Sequence, residues 1–179
     1  MRITKVITKK GDKGMTSLGE GSNVSKSDLR IETLGDLDEL NAVLGVAIIS
    51  CEDNNVHKEL TDIQNDLLNL GGEVAVPNIG NILIKEDRIN ILENKTETLN
   101  KTLPPLKDFI LPGGDELSSR LHVARAVCRR AERSVVRLAE SDDGDLRWIR
   151  YLNRLSDFLF VLARSKNSQS EEIWDKTEK

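Results

Sequence analysis

The stretch LHVARAVCRRAERSVVRL, residues 121–138, decides the fold of this chain. Small and apolar side chains recur in it every three or four residues, which is the period of an α-helix. That spacing places them on one stripe of the helix surface. The stripe consists of Leu121, Ala124, Cys128, Ala131, Val135 and Leu138. A helix with one apolar stripe must bury it against a neighbour, so the stretch predicts helices packed together.

Four further stripes with the same period occur elsewhere in the chain. They are Leu37, Leu40, Leu44, Ala47 and Ile48; Leu60, Ile63, Leu67, Leu70 and Val74; Ile89, Leu92, Thr96 and Leu99; and Trp148, Leu152, Leu155, Leu159 and Leu162. Only 3% of the residues are aromatic, so the core is mostly aliphatic, which favours packed helices over a β-sandwich. We therefore predict an all-α fold, a ferritin-like bundle of five up-down helices.

The 179 residues suit a single domain with three parts. Residues 1–30 are polar, glycine-rich and lysine-bearing, and we expect an ordered loop that binds a ligand or a neighbour. Residues 31–166 form the predicted bundle, in which Gly71–Gly72 and Pro77–Gly80 are expected to end the second helix. Residues 167–179 are polar and are expected to be a flexible tail.

Composition excludes several classes of function. The net charge of -4 argues against a nucleic-acid-binding protein. The two cysteines form no CxxC pair, which argues against zinc and fits a reducing compartment. We see neither a secretory signal nor an apolar run that could span a membrane, and we expect a cytoplasmic protein without a membrane partner.

The run TKKGDKGMTS, residues 8–17, is the first candidate site. Its glycines let backbone N–H groups approach an anion, its lysines neutralise charge, and its hydroxyls donate to phosphate oxygens. It lacks the GxxxxGK[ST] spacing of a P-loop. The alternative is a solvated basic turn.

The second candidate is the arginine-rich face of the helix at 121–138. Arg125, Arg129, Glu132 and Arg133 are spaced i, i+4, i+7 and i+8 and share one face beside the apolar stripe. Arginines near a bundle seam must be paired or bound to an anion. The alternative is a helix whose arginines form salt bridges with acids of residues 36–39.

Three further segments carry candidate residues. The acids of DLDELN, residues 36–41, could hold an arginine, or could simply complement a helix dipole. Asn153 and Asp157 lie i, i+4 on one helix face, where a surface hydrogen-bonded pair is the alternative. FILPGG, residues 109–114, is an apolar loop, which is typical of a segment covered by another element or a ligand. Neither His57 nor His122 follows a glutamate by three residues, which argues against a di-iron bundle.

Taken together, these segments resemble the PduO-type ATP:cob(I)alamin adenosyltransferases. The resemblance runs in order from about residue 3 to residue 165. The motifs that carry it are TKKGDKGxT at 8–16, GxxDELN at 35–41, FILPGG at 109–114, ARxxCRRAER at 124–133 and YLNRLSD at 151–157.

The resemblance implies a homotrimer with active sites between adjacent subunits. It implies transfer of the 5′-deoxyadenosyl group of ATP to the cobalt of cob(I)alamin, with release of triphosphate and formation of adenosylcobalamin. The N-terminal loop would order over ATP, and Mg²⁺ would arrive with ATP, without metal ligands identified in the protein. An electron-donating reductase and a cobalamin-dependent acceptor enzyme are the implied partners. The alternative is a helical bundle that senses ATP without chemistry.

The resemblance also assigns roles to individual residues. Arg129 would stabilise the transition state, and Phe109 would occupy the lower axial face of cobalt. Arg125 would pair with Asp38 across the subunit interface on the corrinoid side. The ATP-binding set would be Thr8, Lys9, Lys10, Gly11, Thr16, Ser17, Lys26, Arg129, Glu132, Arg133 and Asn153.

Overall fold

The computed structural model describes residues 7, 9–19, 21–76, 82–141 and 145–176, which form five helices and one short hairpin. The helices are α1 (Leu29–Ile49), α2 (Asn54–Ala75), α3 (Glu86–Asn100), α4 (Glu116–Ser141) and α5 (Leu146–Ser165). The five predicted helices are therefore confirmed, and the fold is mostly helical. None of these described helices is long and apolar enough to cross a membrane.

Helix α4 lies at the centre of the bundle. It packs against α1 on one side and α5 on the other, while α2 packs on α1 and α3 packs on α5. All six residues of its predicted stripe, from Leu121 to Leu138, are buried. The alanines and cysteine of that stripe are small, which suits a helix enclosed by two neighbours.

Two carboxylates inside the bundle tie α2 to other elements. Asp66 accepts hydrogen bonds from the Arg88 guanidinium of α3 and from the Tyr151 hydroxyl of α5, the latter at 2.9 Å. Burial, followed by the Asp66 charge, raises the pKa of Tyr151, so its hydroxyl stays protonated as a donor. The second carboxylate, Glu73, lies near the end of α2.

Of the two segments expected to end α2, Gly71–Gly72 does not end it, and Pro77–Gly80 lies outside the described residues. The helix continues to Ala75, and both glycines are half-buried among side chains of neighbouring segments. A glycine inside a helix costs about 1 kcal/mol relative to alanine, which tertiary packing readily offsets.

The all-α expectation needs one correction, since a small antiparallel hairpin lies inside the predicted N-terminal loop. Strand β1 (Met15–Ser17) pairs with β2 (Asn23–Ser25). Between them the backbone N–H of Leu18 donates to the Ser22 carbonyl at 2.9 Å. Three-residue strands are too short to show an alternating apolar pattern, so they could not be predicted from periodicity.

Residues 167–176 depart from the expected frayed tail. They lie along the loop that precedes α4, where the backbone N–H of Leu111 donates to the Glu172 carbonyl at 2.8 Å. The Trp174 N–H donates to the Phe109 carbonyl at the same distance. Backbone hydrogen bonds between two loops do not depend on side-chain polarity, so the composition of this segment alone suggested a flexible tail.

Candidate active site

The hairpin brings predicted phosphate-binding residues together. Lys9 and Lys10 are exposed, and Lys9 adopts a left-handed φ of 59°, which bends the chain before Gly11. An added Cβ on Gly11 would lie 2.8 Å from Lys26 Nζ, so these two residues are immediate neighbours. The backbone N–H of Lys26 also donates to the Gly14 carbonyl at 2.8 Å. The Lys26 ammonium group thus lies against the glycine turn that follows Lys9 and Lys10 in the chain.

The hydroxyl-bearing residues of this segment lie on the first strand. Thr16 is paired with Val24, and the Ser17 hydroxyl donates to Asn23 Oδ1 at 2.9 Å. Thr8 was also predicted to bind ATP, and it lies outside the described residues.

Half of the arginines on α4 have carboxylate partners. The ion pairs join Arg120 to Glu116, Arg130 to Asp36 and Glu39, and Arg137 to Glu32. The predicted pairing with acids of residues 36–39 is therefore confirmed for Arg130, whereas Arg120 and Arg137 pair with acids outside that segment. Two of the pairings hold α4 against α1.

The other three arginines of α4 are different. In the described part of the chain, no carboxylate forms an ion pair with Arg125, Arg129 or Arg133. Arg129 and Arg133 are exposed, and Arg133 Nη1 donates only to the Arg129 carbonyl, at 2.9 Å. Arg125 is half-buried, and its Nε has no hydrogen-bond partner. Burial, followed by the Arg129 charge, lowers the pKa of Arg125. Arg125, Arg129 and Arg133 together form a positive face on α4. An anion that the described residues do not supply would stabilise it.

A polar pair lies beside the positive face. Asn153 Nδ2 donates to Glu132 Oε1 at 3.1 Å, which joins α5 to α4. Asn153 Oδ1 in turn accepts from the Arg154 guanidinium at 2.6 Å, which fixes the orientation of the amide. The structure thus brings Glu132 and Asn153 together as neighbours of Arg129. Asp157, the other candidate on α5, is exposed.

Cys128 lies on α4 next to this polar face, in the buried stripe of the helix. Its thiol donates to the Leu152 carbonyl at 3.3 Å and has no exposed surface. Burial raises the pKa of the Cys128 thiol, so it stays protonated and unreactive.

A cleft of about 420 Å³ lies beside Phe109. The Phe109 side chain is 75% exposed, and its ring centroid lies 6.2 Å from that of Trp174. The residues lining the cleft are Leu106, Lys107, Asp108, Phe109, Ile110, Arg125 and Phe160. Phe109 and Arg125, both placed on the corrinoid side by the resemblance, therefore share one cleft.

Phe160 is a lining residue that the sequence reasoning missed. The Arg125 guanidinium lies 5.7 Å and the Arg164 guanidinium 5.9 Å from its ring centroid. Both distances suit cation–π contact. The available signal was that Phe160 lies outside the leucine stripe of α5 in a chain with only three phenylalanines.

Two predicted relationships do not form within one chain. Asp38 is exposed on α1, and among the described residues no bond joins it to Arg125. The described contacts also leave the hairpin unbonded to Arg129 and Arg133. A single chain thus holds the parts of the site without assembling them.

The described residues contain no group of three or more His, Cys, Asp or Glu side chains that could hold a metal ion. His122 lies on α4 and is buried. Burial, followed by the Arg125 charge, lowers the pKa of His122, which favours a neutral imidazole.

Known proteins are similar to this chain over most of its length. The family described as Cobalamin adenosyltransferase matches residues 6–166. A cobalamin adenosyltransferase from Cupriavidus metallidurans is 42% identical over 179 residues, covering 98% of this chain and 96% of the relative. A corrinoid adenosyltransferase from Mycobacterium leprae is 40% identical, covering 97% of each. A variant PduO-type ATP:corrinoid adenosyltransferase from Lactobacillus reuteri, solved with cobalamin and ATP, superposes with a TM-score of 0.90 at 34% identity, covering 95% and 99% of the two chains.

Proposed function

This chain belongs to the cobalamin adenosyltransferase family, and on that premise we propose how its residues divide the work of the reaction. The protein is an ATP:corrinoid adenosyltransferase, which moves the 5′-deoxyadenosyl group of ATP to the cobalt of cob(I)alamin. One observation carries the assignment of residues. Within the described residues, the α4 arginines to which the resemblance gives roles form no ion pair with a carboxylate, whereas their neighbours on the same helix are paired.

The active site forms between subunits of a homotrimer. In one chain the hairpin and the positive face of α4 are not joined, so a second subunit supplies the missing side. The triphosphate then lies between the lysines of one subunit and the arginines of its neighbour. The ATP-binding set is Thr8, Lys9, Lys10, Gly11, Thr16, Ser17, Lys26, Arg129, Glu132, Arg133 and Asn153.

The chemical step is a displacement at carbon. The electron pair of Co(I) forms a bond to C5′ of ATP, the C5′–O bond breaks, and triphosphate leaves with that bonding pair. Negative charge grows on the leaving oxygen, so a guanidinium placed there acts mostly in the transition state. We assign this role to Arg129 from the family motif, and it is supported by the exposure of Arg129 and by the lack of an ion pair to it among the described residues.

Mg²⁺ arrives with ATP. Magnesium in phosphoryl sites is usually held by substrate phosphates and one or two carboxylates, which fits a chain whose described part lacks a metal cluster. Glu132 is the carboxylate that lies on the positive face. When bound, the ion neutralises charge on the departing triphosphate.

The cleft beside Phe109 receives the corrinoid. An exposed aromatic ring can fill the lower axial position of cobalt without donating electrons, which eases reduction of Co(II) to Co(I). Arg125 lies in the same cleft and pairs with Asp38 of an adjacent subunit. That pair would give Arg125 the carboxylate partner that it lacks among the described residues of its own chain.

The pair can be tested by a double-mutant cycle. Asp38→Asn and Arg125→Ala should each raise KM for cob(I)alamin about tenfold, and the double variant should lose little more, with a coupling of about 1 kcal/mol. Steady-state kinetics with pre-reduced cobalamin measure this. Simple additivity would show that the two residues do not interact.

The reaction itself is tested with purified protein, ATP, Mg²⁺ and chemically reduced cobalamin. The absorbance change on formation of the cobalt–carbon bond should follow protein concentration, with one triphosphate released per bond formed. Stable ATP binding without corrinoid-dependent triphosphate release would favour an ATP-sensing bundle instead. In the cell, we propose that the enzyme works in the cytoplasm, between a reductase that supplies electrons and an acceptor enzyme that uses adenosylcobalamin.

A further inference from the structure

Residues 73–76, which are the end of α2 and the residue that follows it, contact several other parts of the chain. The Glu73 carboxylate is buried and accepts from the Trp148 indole N–H at 2.6 Å and from the backbone N–H of Ile84 at 2.7 Å. Three or more hydrogen bonds to one buried carboxylate fix its position firmly. The end of α2 is therefore anchored to α5 and to the segment that precedes α3.

This anchored end contacts the N-terminal hairpin. The next carbonyl, that of Val74, accepts from Arg30 Nη1 of α1 at 2.7 Å in a buried contact. The Ala75 carbonyl accepts from the backbone N–H of Gly19, in the turn between β1 and β2, at 3.3 Å. The hairpin is thus attached to the bundle through the turn opposite its lysines.

Gly19 allows this approach because it has no side chain. An added Cβ would lie 2.5 Å from Val76 Cγ2, far inside van der Waals contact. The φ of Gly19 is not in the left-handed region, so its backbone conformation is open to other residues. Valine is branched at Cβ and resists rotation. The requirement for glycine therefore comes from Val76.

We propose that the contact of Gly19 with the end of α2 positions the hairpin for ATP. This inference rests on the proposed function, in which Gly11, Lys26 and their neighbours bind the triphosphate. A hairpin held in place before ATP arrives loses less conformational freedom on binding, and this strengthens binding. Gly19 and Val76 are positioning residues, and neither touches the substrate.

The test is Gly19→Ala. We expect KM for ATP to rise about tenfold, with kcat at saturating ATP and KM for cob(I)alamin changed less than about twofold, because binding is lost equally in ground and transition states. The double variant Gly19→Ala with Val76→Ala should restore KM for ATP. In it, the nearest remaining contact of the new methyl group is the Ala75 carbonyl at 3.6 Å, an ordinary distance.

Gly71→Ala is the matched control on the same helix. A Cβ there would meet only Leu34 Cδ2, at 3.7 Å, so KM for ATP should not change. Hydrogen exchange of residues 15–25 without ATP gives a second measurement. Exchange should be faster in Gly19→Ala and return to the wild-type rate in the double variant.

Lys26→Ala separates this inference from the proposed function. If Lys26→Ala raises KM for ATP but Gly19→Ala does not, the positioning role of Gly19 is wrong and the site assignment stands. If Gly19→Ala raises KM and the double variant fails to restore it, contact with Val76 is not the cause. If Lys26→Ala leaves KM unchanged, the hairpin is not the nucleotide site, and the positioning role falls with it.

Discussion

Arg129→Ala should lower kcat about 100- to 1000-fold, the usual cost of removing one preorganised group that stabilises transition-state charge. The guanidinium is exposed on α4 and forms no ion pair in the described chain, so its loss leaves no buried acid unpaired. Folding should therefore be unaffected, and KM for ATP should rise far less than kcat falls. Turnover measured with pre-reduced cobalamin checks this.

Arg137→Ala is the control for Arg129→Ala. It removes an arginine from the same helix, but one paired with Glu32 at the surface, where an ion pair contributes at most about 1 kcal/mol. Its turnover should match the wild type. Arg129→Lys keeps the positive charge but lacks the planar guanidinium, so its turnover should lie between those of Arg129→Ala and Arg137→Ala. Near-normal turnover in Arg129→Ala would remove this residue from the mechanism.

Phe109→Ala should lower turnover about 100-fold when the substrate is Co(II) cobalamin with a reductant, because removing the ring opens the axial position of cobalt to a donor. With pre-reduced Co(I), turnover should fall by no more than about threefold. The ring is 75% exposed, so its removal costs little core packing.

Leu111→Ala offers a comparison for Phe109→Ala within the same loop. Leu111 is also exposed, but it does not line the cleft beside Phe109, and both assays should be nearly unchanged. Equal losses with Co(II) and Co(I) in Phe109→Ala would mean that the ring only binds the corrinoid. In that case axial displacement would have to be assigned elsewhere.

The helices could be predicted because their apolar side chains recur with the period of an α-helix. The stripe from Leu121 to Leu138 is fully internal, and the same holds for Trp148, Leu152 and Leu155 of α5. The hairpin could not be predicted in this way, because it depends on contacts made after the helices pack, such as Gly19 with Ala75, which no local pattern encodes. The apolar period of α2, by contrast, continues past Gly71 to Val74, so the period predicted its continuation better than the two glycines did.

For the candidate site, residue types were predictable and partners were not. The spacing of Arg125, Arg129 and Arg133 put them on one face, yet nothing in the spacing distinguishes them from Arg130, which is paired with Glu39. Pairing depends on which acids of α1 face α4, and that is set by the packing of two distant segments. Phe160 was missed for the same reason, since its contact with Arg125 depends on the packing of α5 against α4.

The protected thiol of Cys128 has a practical consequence for these experiments. The described chain has two cysteines, and Cys51, between α1 and α2, is half-buried, whereas Cys128 has no exposed surface. A maleimide dye should therefore label the native protein at Cys51 alone. Uptake of a second dye would report that α4 has parted from Leu152 of α5. The number of dyes bound per chain thus distinguishes a variant that is folded but inactive from one in which α4 has separated from α5.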